Sequence, residues 1–245
     1  MKKAWKCCSA LMLALVLFLA SGCNPNYRPE FEYGDFICRE WFEGVISILD
    51  LSEQGKGKRV VIVPDEINGL PVGEIADHSK WSVRQWESEY LEKLYLPQNI
   101  YMNELTIRSC ENIKAVFFLS FIEDGEFLLL YPFISYYNSH VYNMFIEKNW
   151  NLDNVIKPAN VAYYYNDGRT ENYGCYWLDN VPYGSLLDVL PPEDPLSEGK
   201  TFAGWYKEPE CINAWNFETD TTPEEKVDEE GNVIYQETAL YAKWV

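Results

Sequence analysis

Between Arg59 and Phe118 short apolar runs alternate with turn residues, and this rhythm predicts strands. Val60-Val61-Ile62-Val63 closes on Pro64, and Leu94-Tyr95-Leu96 closes on Pro97. Val116-Phe117-Phe118 follows Cys110 to Lys114, a run that echoes Leu91 to Lys93. A strand of four residues cannot bury its own apolar face, whereas a stack of near-copies can, which is the physical basis of a solenoid. Ile67-Asn68-Gly69-Leu70 predicts a hairpin, because both central residues of that turn adopt positive φ. Phe36 to Arg39 and Val45 to Asp50 read as further short strands, with Ser52 to Lys58 as a loop. Tyr137, Val141, Met144, Phe145 and Lys148 recur at spacings of three and four. That predicts a short amphipathic helix, capped by Asn138 or Ser139, over the open end of the ladder. Phe117 to Phe121 and Phe127 to Ile134 read as buried strands, since exposed patches of that size invite aggregation.

The pattern resets at Asn154 to Pro158, which reads as a joint. Beyond it, Val161 to Tyr165 alternates into an Asn166-Asp167-Gly168 turn. Cys175 to Leu178, Thr201 to Tyr206, Ala214 to Phe217 and Thr238 to Trp244 are the other strand-like stretches. The apolar run Leu186 to Leu190 is broken by Pro191, Pro192 and Pro195. Thr221 to Gly231 is densely acidic and reads as a solvated loop.

The first residues have a different character. Lys2, Lys3 and Lys6 precede an apolar core from Ala10 to Ala20, the layout of a signal peptide and too short for a bilayer span of about 20 residues. Leu19-Ala20-Ser21-Gly22-Cys23 then resembles the lipobox of bacterial lipoproteins. The resemblance implies cleavage before Cys23, a diacylglyceryl thioether on Cys23 and acylation of the new amino group. The expected organisation is a signal peptide at 1–22, a lipidated tether at 23–30, one domain at 31–158 and a second at 159–245.

The central pattern of strand, Pro, Asn68-Gly69-Leu70-Pro71-Val72 and Ile75 resembles the opening unit of BspA-like leucine-rich repeat proteins. Leu91, Leu94, Leu96 and Pro97, then Cys110, Asn112, Ile113 and Lys114, are similar to later units of that family. At the other end, Phe202, Gly204, Trp205 and Tyr206 are followed by Trp215 and Phe217, and then by Leu240, Tyr241, Ala242 and Trp244. This order resembles the Listeria–Bacteroides repeat, the internalin B-type repeat of bacterial surface proteins. The two resemblances imply a mainly β chain. Its first part is a short, irregular leucine-rich-repeat ladder with a hairpin start and a helical cap. Its second is a small β-grasp-like module, a curved sheet around a short helix. Gly204 is expected to make room for a packed aromatic, and Trp205, Trp215 and Trp244 to fill a small core rather than to stack on sugars.

Charge narrows the partners. Acidic side chains number 38 against 20 basic ones, a net −18, and the second domain alone holds 17 acidic and 5 basic residues. Such a chain repels nucleic acid and favours basic partners. Candidate chemistry is sparse. His78 and His140 are the only histidines, and neither has a His or Cys at metal-ligand spacing. Asp65-Glu66 and Glu123-Asp124 are carboxylate pairs that read as turn residues in an acidic chain. Cys38, Cys110, Cys175 and Cys211 are expected as free thiols, although an exported chain permits a Cys175–Cys211 pair. No enzyme, cofactor or metal is expected. The expected role is a lipid-anchored surface protein whose two domains mediate non-covalent protein interactions or adhesion, with glycan capture for nutrient uptake as the alternative. An exposed row of aromatics would favour glycan, and a mixed acidic surface would favour protein.

Overall fold

The computed structural model describes residues 28–40, 44–75, 84–97, 100–102, 107, 109–118, 134–148 and 156–245. The signal segment, Cys23, His78, Glu123-Asp124 and most of the two aromatic stretches between Phe117 and Ile134 lie outside them. The fold is mainly β with few helices, as the alternating pattern predicts.

Among the described residues the strands form three sheets. The first runs β1 (Phe31–Tyr33), β2 (Phe36–Glu40), β3 (Ile46–Leu51), β6 (Leu70–Ile75) and β5 (Glu66–Ile67), with β8 (Tyr101–Met102) parallel to the far end of β6. The second is wholly parallel, in the order β4 (Val60–Ile62), β7 (Lys93–Leu96), β9 (Ala115–Phe118), β10 (Ile134–Tyr137) and β11 (Ile156–Pro158). The third is mixed: β13 (Cys175–Asp179), β12 (Val161–Tyr164), β15 (Thr238–Trp244) and β14 (Phe202–Tyr206).

Register explains how the parallel ladder is stabilised. Val61, Leu94 and Val116 stand opposite one another and are fully buried in one core with Cys38, Ile48 and Ile75 of the first sheet. The next column, Ile62, Tyr95, Phe117 and Tyr136, points the other way. Its rings stack at 4.4 Å from Tyr95 to Phe117 and 5.1 Å from Phe117 to Tyr136. This aromatic row sits in a second core with Val161, Tyr163 and Trp177 of the third sheet. Both faces of the ladder are therefore covered, as parallel sheets require. The step from Lys93 to Ala115 is 22 residues, from Ala115 to Ile134 19, and from Ser135 to Ile156 21.

The hairpin forms where Asn-Gly predicts it, with Asn68 at φ 54° and Gly69 at φ 75° between antiparallel β5 and β6. Several local expectations change. Ser52 to Lys58 is not an open loop: Glu53–Lys56 is one helical turn, because the Ser52 hydroxyl accepts from Gly55 N at 3.2 Å. Gly55 is required there, since a Cβ would meet Asp35 O at 2.2 Å. The later helix runs Ser139–Glu147 with Asn138 as its cap, its side chain accepting from Val141 N at 2.8 Å. Tyr137, expected within that helix, belongs to β10 instead. The helix is the crossover between β10 and β11, and packs Val141 and Phe145 against Tyr137 and Ile156.

The expected joint is itself part of the ladder. Ile156–Pro158 pairs with β10, and Pro158 is tolerated because β11 is an edge strand. Only Ala159 and Asn160 separate β11 from β12. Both are buried: Ala159 N donates to Tyr137 O, and the Asn160 side chain bonds both N and O of Val181. The short helix implied for the C-terminal module is also absent. Residues 159–245 hold no α-helix, and 180–201 run irregularly because Pro182, Pro191, Pro192 and Pro195 interrupt any regular bonding.

Candidate functional site

The ladder and the C-terminal module meet across β13. Trp177 stacks on Tyr95 with centroids 4.6 Å apart. Asp179 Oδ1 accepts from Tyr95 OH at 2.7 Å, Lys93 Nζ at 2.9 Å and its neighbour Asn180 N at 2.7 Å. Asn180 in turn donates to Tyr136 OH at 3.3 Å. Burial, and then the adjacent Asp179 carboxylate, push the Tyr95 phenol well above its ordinary pKa, so it remains a donor. Register places Val161 and Tyr163 on the same face as Asp179 and Trp177, which makes that face the one applied to the ladder.

Beside this contact a cleft of about 880 Å³ opens, built from the ladder, the N-terminal turn and the module. The ladder contributes Ile62, Val63 and Pro64, leading into Asp65 and Glu66. The N-terminal turn contributes Tyr33 and Asp35, with Lys58 held to Asp35 Oδ2 at 2.7 Å. The module contributes Tyr176, Trp177, Pro192, Glu193 and Leu196. Tyr176 OH donates to Glu193 O at 2.6 Å and so fixes the proline-rich wall. Arg169 anchors the far end of the same wall by donating to Leu196 O at 2.9 Å. That guanidinium lies 3.4 Å over the Tyr165 ring and bonds Asp167 in two-pronged fashion, holding the Asp167 carboxyl well below its usual pKa. The cleft surface combines carboxylates, the exposed Tyr33 ring, the half-buried Tyr176 ring and the exposed Leu196, with one lysine that is already paired.

The residues singled out from sequence are scattered. Asp65 and Glu66 are exposed at the cleft. His140 is exposed and stacks on Tyr173 at 5.2 Å. All four described cysteines are free thiols, and burial raises Cys38 to about 12 and Cys110 to about 11, which suits packing rather than nucleophilic chemistry. Among the described residues no group of three or more His, Cys, Asp or Glu side chains could hold a metal ion. Trp205 is buried with edge contacts to Tyr163 at 4.9 Å and Phe202 at 5.1 Å, while Trp215 and Trp244 pack partly buried on the same core. The reason given for Gly204 changes. A Cβ there would meet nothing within 4 Å, and the glycine is needed for φ +109° at an irregularity between β14 and β15.

Tyr33, Tyr176 and the Pro192–Leu196 wall were not singled out in sequence, because they are brought together only by tertiary packing. The usable signal was the clustering of Pro191, Pro192 and Pro195 beside apolar residues, which marks a rigid surface wall as well as a break.

Residues 160–228 match the Listeria-Bacteroides repeat domain. The match ends before β15, which carries the Leu-Tyr-Ala-x-Trp motif. A 63-residue stretch, 25% of this chain, is 38% identical to a protein of Evansella cellulosilytica named "Putative membrane protein", and spans only 7% of that protein. No solved structure matches. The C-terminal module is thus similar to a Listeria-Bacteroides repeat, and the similarity covers little more than a quarter of the chain.

Proposed function

We propose that this protein is exported, is held at the cell surface by a lipid on Cys23, and works by non-covalent contact with an extracellular protein in the cleft between ladder and module. A repeat family of surface proteins and a relative named as a membrane protein support the location. In finer detail the parallel strands are read as a BspA-like leucine-rich-repeat ladder. After a first step of 33 residues from Val60 to Lys93, rung steps of 22, 19 and 21 residues lie close to the roughly 20–29 typical of such repeats. The third sheet is read as a β-grasp-like repeat without its helix.

One observation carries the choice of partner. The aromatic row Tyr95, Phe117 and Tyr136 is buried against the module, so the surface suited to stacking on sugars is already occupied. What remains open is a mixed, acidic recess, the kind of surface that suits a protein ligand. Catalysis forms no part of this proposal. The alternative, glycan capture, draws on Tyr33, 43% exposed at the cleft, which could stack on a sugar ring.

Fractionation and binding test the two halves of the reading. Cys23→Ala is expected to move the protein from the membrane fraction to the soluble one, and retention would refute the anchor. The soluble mature chain is then screened against purified extracellular proteins and glycans, with Leu196→Lys as the cleft control. Binding to a protein that Leu196→Lys abolishes supports the proposal. Binding to glycans alone would overturn it in favour of the alternative.

A further inference from the structure

Ladder sheets have two edges, and here they differ. At one end β11 finishes on Pro158, whose missing N–H discourages further pairing. At the other, β4 pairs with β7 and with no other strand among the described residues. Its bonds to β7 run through Arg59 O, which accepts from Lys93 N at 3.0 Å, and Val63 N, which donates to Tyr95 O at 2.9 Å. Backbone groups alternate sides along a strand, so the N–H and C=O of Val60 and Ile62 point away from β7. Ile62 lines the cleft. Edge strand β14 offers a contrast: Tyr206 bridges Ala214, and Trp215 N donates to Trp205 O at 2.8 Å, which covers that edge.

We propose that an extended, basic peptide segment adds to β4 as a further strand of the ladder and lies in the cleft. This deepens, and rests on, the surface-contact reading above. Strand addition supplies backbone bonds independent of side chain, while the walls select alternate residues. Side chains facing the module would meet Tyr176, Trp177 and Leu196. Those facing the mouth would meet Glu66 and Glu193. Lys58 is held by Asp35 rather than by either of these carboxylates. The charge of the whole chain, −18, adds long-range attraction for a cationic segment. β4 is three residues long, so the peptide core is short, of about three or four residues.

The probe is a synthetic peptide alternating lysine and valine, titrated by fluorescence anisotropy into the soluble mature chain. Two comparison peptides carry glutamate for lysine, or N-methyl groups at alternate backbone positions. The lysine peptide is expected to bind, to weaken with added salt, and to lose at least about fivefold in affinity on N-methylation, since backbone bonds are removed. Ile62→Pro deletes the outward N–H without touching the β7 pairing and is expected to weaken binding similarly while leaving the melting transition in place. Should that variant fail to fold, Glu66→Gln with Glu193→Gln provides the second arm and is expected to weaken the lysine peptide alone. No binding, equal binding of the glutamate peptide, or indifference to N-methylation would each overturn strand addition. The surface-contact reading fails separately, through retention of Cys23→Ala in the membrane or through a glycan-only ligand profile.

Discussion

Asp179→Ala should unsettle both halves of the molecule at once. The carboxylate is 1% exposed and collects three donors on Oδ1. Tyr95 is fully buried, so its orphaned hydroxyl costs about 1–3 kcal/mol. The Lys93 side chain is 23% exposed and recovers some water, which limits its share to less than about 1 kcal/mol. Against this, Asp179 Oδ2 has no hydrogen-bond partner among the described residues, and deleting it relieves part of a desolvation cost. The expected net loss is about 1–3 kcal/mol, or a fall in Tm of about 2–12 °C for a chain of this size. Urea unfolding of the mature chain, followed in parallel by tryptophan fluorescence and far-UV circular dichroism, measures it. Tyr95→Phe alone should cost about 1 kcal/mol, whereas in the Asp179→Ala background it should recover stability, because it removes the hydroxyl that the first substitution leaves unpaired. Strict additivity, or a loss below about 0.5 kcal/mol, would refute the claim that this carboxylate ties the module to the ladder.

Three further outcomes follow from the same geometry. Gly204→Ala should lose about 1–2 kcal/mol through strain at φ +109° rather than through a clash, and a neutral result by denaturant unfolding would remove that explanation. Trp205→Ala should cost about 3–5 kcal/mol, so any loss of ligand binding should coincide with loss of the melting transition. Arg169 lowers the Asp167 pKa below its unfolded value. The stability from this pair is therefore complete above about pH 4 and disappears as pH falls through the lowered pKa. Asp167→Asn should accordingly flatten the acid limb of a Tm-against-pH profile, and an unchanged limb would contradict the assignment.

Much of the ladder was legible because its signals are local. Asn68-Gly69 demands a turn, Asn138 caps a helix, and the Leu94, Val116 and Val61 positions repeat on one face. What could not be read was what covers the second face of the ladder. Tyr95 and Phe117 look alike in sequence whether they meet solvent or Trp177, and only the placement of β13, some eighty residues later, decides. Pro158 misled for a related reason. A proline marks either a break or an edge, and the distinction depends on whether a neighbour follows on the far side. Gly204 shows the same ambiguity between a space requirement and a backbone requirement. The cleft was illegible because its walls come from stretches far apart in the chain that local pattern does not relate.

The two-residue passage from β11 to β12 has a consequence for recognition. With Ala159 and Asn160 buried and bonded on both sides, the halves have no hinge about which to swing. The recess is preformed, so a visiting ligand encounters finished walls and bears none of the free-energy cost of drawing two bodies together. Such a recess favours ligands that match its walls as they stand over those that would have to part the two halves.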